Sequence, residues 1–272
     1  MDKLYFGIAG IPHGKKKTKM TYSQGIEYLN EIGLDNMELP FVRRINVTNN
    51  NRDSIIKTKK ENNIYLSAHG SYFINLNAVE EEKRDASKKR IIAGAKALKS
   101  VGGRSLVFHP GYYLNQDKEK VFNTILEEIA SLPDLGVIYR METTGKGTQF
   151  GNIDELIEIS KVVKTAGICV DFSHIHARGV GALKEYDDFA RILYKIGEGL
   201  GEKALKDMHI HISGINYGDK GELNHLILEE SDFNYKACLK ALVDYEVKGY
   251  IVCESPNLEE DALLMKNYYN TL

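Results

Sequence analysis

The chain has 272 residues, 43% hydrophobic and 27% charged, with a formal net charge of −2. That length suits one large α/β domain with a sizeable core, and a (β/α)₈ barrel of about 250 residues would leave little over. The balanced charge gives no global case for a nucleic-acid binder, no apolar stretch approaches the roughly 20 residues of a membrane span, and the N-terminus lacks a signal pattern. The expectation is a cytoplasmic protein without a membrane partner. Cys169, Cys238 and Cys253 lack motif spacing and read as buried, reduced thiols.

Strand and amphipathic helix alternate from end to end. The first strand is expected at about Tyr5 to Ala9, followed by a helix near Tyr22 to Ile32. The second strand ends at Met37-Glu38-Leu39, and a helix near Asp53 to Asn62 follows. After a third strand, Ile91, Ile92, Ala95, Ala97 and Leu98 lie at helical spacing in a long helix near Val79 to Val101. Further apolar series are Val121, Ile125, Ile129 and Leu132, then Ile153, Leu156, Ile157, Ile159 and Val162, then Phe189, Ile192, Leu193 and Ile196, then Ala237, Leu239, Leu242 and Val243. Eight strands and eight helices in alternation predict a parallel sheet. No G-x-G-x-x-G follows the first strand, and polar residues close many strands. Both favour a single (β/α)₈ TIM barrel over residues 1–272 rather than an open sheet.

The strand ends carry the chemistry. Six runs finish in a metal-binding side chain: Ile64 to His69, Leu106 to His109, Val137 to Glu142, Ile168 to Asp171, Met208 to His211 and Tyr250 to Glu254. A parallel barrel opens all its strand C-termini onto one face, so three imidazoles and three carboxylates would line one bowl. This mixture suits Zn, Mn or Fe rather than a Cys-based structural zinc site. Asp171-Phe172-Ser173-His174 adds an imidazole three residues beyond a strand end, and His176 follows with its direction undetermined. In His209-Ile210-His211, alternation puts both rings on one face; His211 is nearer the strand end, and His209 is expected to pack or to support it. His225 belongs to the next loop.

These motifs resemble the endonuclease IV family of apurinic/apyrimidinic (AP) endonucleases, within the xylose-isomerase-like barrels. The matching stretches are Ser67 to Leu76, Phe108 to Gly111, Met141 to Gly147, Val170 to His174 with Ala177 to Gly179, and Glu254 to Pro256, which together span most of the chain. The resemblance implies a zinc cluster of two or three ions. His69, His109 and Glu142 would bind one ion. Glu142, Asp171, His211 and Glu254 would bind a second, with Glu142 bridging. His174 and His225 fall to a third. The family completes that third site with Asp-x-His, but the Asp position here is Leu223, leaving Glu222 or Asp219 to substitute.

By the same resemblance, a metal-bound hydroxide would hydrolyse the phosphodiester 5′ of an abasic site in double-stranded DNA, oriented by Glu142 and Glu254 as catalytic residues. Tyr72 and Phe73 match a DNA-penetrating loop. Arg43, Arg44 and the run Lys15 to Lys19 are candidate phosphate contacts. The expected protein is a monomer. The competing reading is a sugar isomerase or epimerase on the same barrel, holding one metal through Glu142, Asp171, His211 and Glu254. His69, His109, His174 and His225 are surplus to that chemistry; Leu223 and the near-neutral charge speak for it.

Overall fold

The computed structural model describes residues 1–14 and 19–272. Eight strands close a parallel barrel: β1 (Leu4–Ala9), β2 (Asn36–Pro40), β3 (Tyr65–His69), β4 (Ser105–Phe108), β5 (Ile138–Glu142), β6 (Ala166–Asp171), β7 (Met208–Ile212) and β8 (Gly249–Cys253). Each strand pairs with its neighbour in sequence, and β8 pairs back onto β1. The register sets Glu38 beside Ser67, Asp171 beside His211, and His211 beside Val252.

The period of two sorts each strand. Leu66 and Ala68, Leu106 and Phe108, Met208, Ile210 and Ile212 turn outward under the helices and are buried. The residues between them turn inward and form layers. Tyr5, Tyr65 and Tyr250 fill the floor, with ring centroids 4.4 Å apart for Tyr5 and Tyr65 and 5.8 Å apart for Tyr65 and Tyr250. Glu38, Ser67, Ser105, Arg140 and His209 occupy the middle. The top layer is the ring of strand-end His, Asp and Glu.

Helices α1 (Tyr22–Glu31), α2 (Arg52–Asn62), α3 (Glu81–Ser100), α4 (Lys118–Ala130) and α5 (Ile153–Val162) lie close to their expected places. The remaining described α-helices are α6 (Phe172–Arg178), α7 (Tyr186–Leu200), α8 (Glu202–Leu205), α9 (Tyr235–Asp244) and α10 (Glu259–Tyr269). Each main helix buries one stripe: Val121, Ile125 and Ile129 in α4, and Phe189, Ile192, Leu193 and Ile196 in α7.

The structure departs from the eight-plus-eight expectation in the loops above the bowl. The segment after Asp171 is helical: the Asp171 carboxylate accepts from the His174 amide at 2.7 Å and caps α6. The loop carrying His225 is a β-hairpin of Gly214–Gly218 and Gly221–Leu226, and a smaller pairing joins Gly111–Tyr112 to Gln149–Phe150. These segments are too short or too polar to show a clear period in the sequence.

Gly249, the first residue of β8, has φ +129° and a built Cβ would lie 1.9 Å from the Met208 carbonyl. Gly249→Ala should therefore destabilise the fold by more than about 2 kcal/mol, read as a lowered midpoint in chemical unfolding; an unchanged midpoint would contradict this barrel closure.

Candidate metal centre

Glu142 sits at the mouth of the barrel, fully buried, with imidazoles around both of its oxygens. Oε2 is 2.9 Å from His69 Nε2 and 3.0 Å from His109 Nε2. Oε1 is 3.2 Å from His211 Nδ1 and 3.3 Å from His174 Nδ1. The rings form an arc: neighbouring centroids from His69 through His109 and His174 to His225 are each 5.6 Å apart.

Three groups of donor atoms converge here, the atoms of each lying within 4.8 Å of one another: His69, His109 and Glu142; Glu142, Asp171, His211 and Glu254; and His174, Glu222 and His225. The sequence-predicted donors are thus all brought together. His176 is not: in α6 it is two residues from His174 and points away, to Asp232 Oδ1 at 3.0 Å and the Leu183 amide at 3.1 Å. Asp219 is exposed in the hairpin turn and joins no group.

Glu222 reaches the third group because of a β-bulge. Asn216 pairs with Asn224 but Tyr217 pairs with Glu222, so Leu223 has no partner of its own. A regular strand would put Leu223 and His225 on one face. The extra residue shifts the phase, turning Glu222 to the His225 side and Leu223 out to solvent, where it is 63% exposed. Glu222 Oε2 lies 3.6 Å from His174 Nε2, and Oε1 lies 3.9 Å from His225 Nε2. The carboxylate absent from position 223 is thereby supplied one residue earlier. The Gly145 carbonyl accepts from the Glu222 amide at 3.0 Å, and a Cβ on Gly145 would meet Glu222 Oε2 at 2.6 Å, so that glycine leaves room for the side chain.

The donor set fits divalent cations. Glu142, Asp171 and Glu254 crowd three carboxylates together, which demands compensating positive charge. Asp171 Oδ1 is used by the α6 cap, but its buried Oδ2 has no hydrogen bond and lies 3.3 Å from His174 Nδ1. His69 and His174 present Nδ1 to the backbone carbonyls of Gly70 and Thr143 at 3.0 Å each, and His225 presents Nδ1 to that of Glu254 at 3.1 Å. With Nδ1 donating, Nε2 is left as the free lone pair toward the bowl.

Burial disfavours charge on His69, but the Glu142 hydrogen bond and the Glu142, Glu38 and Glu254 charges outweigh it and hold its pKa up at about 9. Burial pushes Asp171 up to about 6, against the pull of His174. Burial also acts on Glu254, but the charge and hydrogen bond of His211 prevail and bring it down to about 2.

Around the bowl, Tyr72 and Phe73 are 62% and 66% exposed, and the Tyr72 ring is 6.1 Å from that of His69. The Tyr72 amide donates to the Val42 carbonyl at 3.0 Å, which sets this loop against exposed Arg43 and Arg44. Lys15, Lys16 and Lys17 lie outside the described residues, and Lys19 is exposed. A groove of about 700 Å³ beside the third group is lined by Lys146, Arg178 and Lys220 together with Asp219 and Glu222.

Residues 26–268 match the family described as xylose isomerase-like TIM barrel. The chain belongs to that family. It is 44% identical to an uncharacterized protein of Methanocaldococcus jannaschii over 99% of this chain and 98% of that one. It is 28% identical to a probable endonuclease 4 of Ureaplasma parvum over 76% of this chain and 80% of its relative. Among solved structures, a D-tagatose 3-epimerase-like protein superimposes with a TM-score of 0.75 at 18% identity, covering 98% of this chain and 96% of the other. Endonuclease IV from Thermus thermophilus superimposes with a TM-score of 0.74 at 17% identity, covering 98% and 100%. These two structures share the fold and do not choose between the activities. Among the described residues, no helix is long and apolar enough to cross a membrane.

The pKa of His69 in the metal-free fold, about 9 against an ordinary value of 6.5, sets a sign. A raised histidine contributes stability that is complete below the lower value and lost as pH rises through the higher one. Metal uptake needs the neutral ring, so zinc binding at pH about 7.5 should release protons and apparent zinc affinity should climb with pH up to about 9. Calorimetry in buffers of different ionisation enthalpy checks this; uptake with no proton release would refute it.

Proposed function

We propose that the protein is a metal-dependent phosphodiesterase of the endonuclease IV type, incising DNA on the 5′ side of abasic sites. The observation that carries this reading is the third donor group, His174, Glu222 and His225, standing beside His69 and His109. A one-metal isomerase has no use for five further donors arranged this way. The similarity to a probable endonuclease 4 over most of both chains supports the same reading.

His69, His109 and Glu142 would hold one metal. Glu142, Asp171, His211 and Glu254 would hold a second, and His174, Glu222 and His225 a third. Zinc suits this imidazole and carboxylate set, and manganese or iron would meet the same donors. When bound, such ions acidify a water, neutralise phosphate charge and stabilise a leaving alkoxide. Glu142 spans the groups with its two oxygens and fixes their spacing. Glu254, aligned by the His225 Nδ1 contact to its carbonyl, would orient the attacking water with Glu142. Tyr72 and Phe73 stand where apolar side chains would enter an unstacked duplex and hold out the damaged nucleotide. Arg43, Arg44, Lys146 and Lys220 would take flanking phosphates.

The second reading, a sugar isomerase or epimerase, rests on the four-donor group of Glu142, Asp171, His211 and Glu254, which alone would hold one metal and supply carboxylates for proton transfer. Metal counting and a duplex with one abasic analogue separate the two. Three zinc ions per chain and a nick 5′ of the analogue are expected; one ion and no nick would leave the isomerase. His69→Ala should lower incision by more than about 10²-fold. Glu222→Ala should remove one zinc ion, while Leu223→Ala should remove none; equal counts in both variants would deny the bulge its role.

Tyr72→Ala should weaken binding to abasic duplex by about 10-fold at unchanged metal content. Unaltered affinity would eliminate the wedge.

A further inference from the structure

The imidazoles around the bowl differ in one respect. His69, His174 and His225 each set Nδ1 against a backbone carbonyl, although His174 Nδ1 also lies 3.3 Å from Glu142 Oε1. His211 has carboxylates and no backbone carbonyl at Nδ1, which faces Glu142 Oε1 at 3.2 Å and Glu254 Oε1 at 3.5 Å. Its Nε2 points down into the barrel, 3.1 Å from Glu38 Oε1. In the metal-free fold the ring's hydrogen bond is the Nδ1 contact to Glu142, and the two buried atoms His211 Nε2 and Glu38 Oε1, though close, have no hydrogen bond to each other or to anything else. Glu38 thus stands where the other rings find a carbonyl.

Glu38 is in turn held by a chain whose direction can be assigned from its ends. Arg140 only donates, and its Nε gives a proton to Ser105 Oγ at 3.1 Å. The Ser105 hydroxyl is then free to donate to His209 Nδ1, also at 3.1 Å. That leaves His209 Nε2 as the donor to Glu38 Oε2 at 2.9 Å, where Ser67 Oγ donates too, at 2.9 Å. Oε2 is saturated and Oε1 remains for His211. Arg140 itself is anchored at the floor by the Asp207 carbonyl at 2.8 Å and carboxylate at 3.2 Å.

We propose that Glu38 is the positioning residue of the second metal group: it takes the Nε2–H of His211, and the chain from Arg140 through Ser105 and His209 keeps it oriented to do so. His211 is then locked in the tautomer that offers its Nδ1 lone pair to the bowl. A carboxylate behind a ligating imidazole also raises the ring's basicity toward a metal. This rests on the reading of Glu142, Asp171, His211 and Glu254 as metal donors. Cys169 and His209 also lie near His211, with donor atoms within 4.8 Å of one another, and a metal seated among them would claim the same nitrogen.

The test uses full-length protein, with zinc as the probe. In long-range ¹H–¹⁵N spectra of the zinc-loaded wild type, His211 should show a protonated Nε2 and a metal-shifted Nδ1. Glu38→Gln should weaken zinc at one site by about 10–100-fold against a competing chelator, leaving the other sites as in the wild type. Ser105→Ala should act on the same site. A proton on Nδ1, or zinc on Nε2, overturns the proposal even if Glu38→Gln does not fold, because the wild-type spectrum decides. Wild-type affinity at every site in Glu38→Gln also overturns it. If the wild type binds zinc and nicks abasic DNA while His211 carries its proton on Nδ1, only this inference fails; if the wild type binds no zinc, the metal reading fails with it.

Discussion

The site depends on one buried carboxylate. Glu142 is removed from solvent, and burial of an isolated carboxylate costs several kcal/mol unless charge and hydrogen bonds surround it. Here four imidazoles meet its two oxygens at 2.9 to 3.3 Å. Burial raises its pKa, yet the charges of His109 and His211 with the hydrogen bonds of His109 and His174 win, holding it well below the ordinary carboxylate range. The rings come from β3, β7, the turn after β4 and α6, so the barrel has to close in this register for Glu142 to remain ionised.

The barrel interior below is unusually polar. Many barrels fill this space with branched aliphatic residues. Here the floor is a tyrosine cluster, and above it lie a glutamate, an arginine, a histidine and two serines in a connected network. Such a network is costly when broken and orienting when complete. Its closest approach to the layer above is Glu38 Oε1, 3.1 Å from His211 Nε2.

The loops adapt the same barrel to its site. Capping of α6 uses one oxygen of Asp171 and leaves the other for the bowl. The hairpin bulge turns Glu222 inward and Leu223 outward. Both devices rearrange side chains by backbone geometry and leave the barrel strands as they are, in keeping with function residing in loops on a rigid scaffold.

The alternation of strands and helices, the strand-end His, Asp and Glu, and their meeting on one face were legible from residue order, because a parallel barrel delivers every strand C-terminus to the same rim. His69, His109, Glu142, Asp171, His211 and Glu254 needed only that rule. Three matters were decided by tertiary structure. The choice between Glu222 and Asp219 depended on a bulge, and one inserted residue reverses which side chains face inward. His174 and His176 parted because Asp171 starts a helix where residue order suggested only a loop. Glu38 was visible as a carboxylate inside an apolar strand, but its partners Ser67, His209 and His211 are 29, 171 and 173 residues distant in sequence. Contacts at that separation are set by barrel closure and register, which local pattern does not encode.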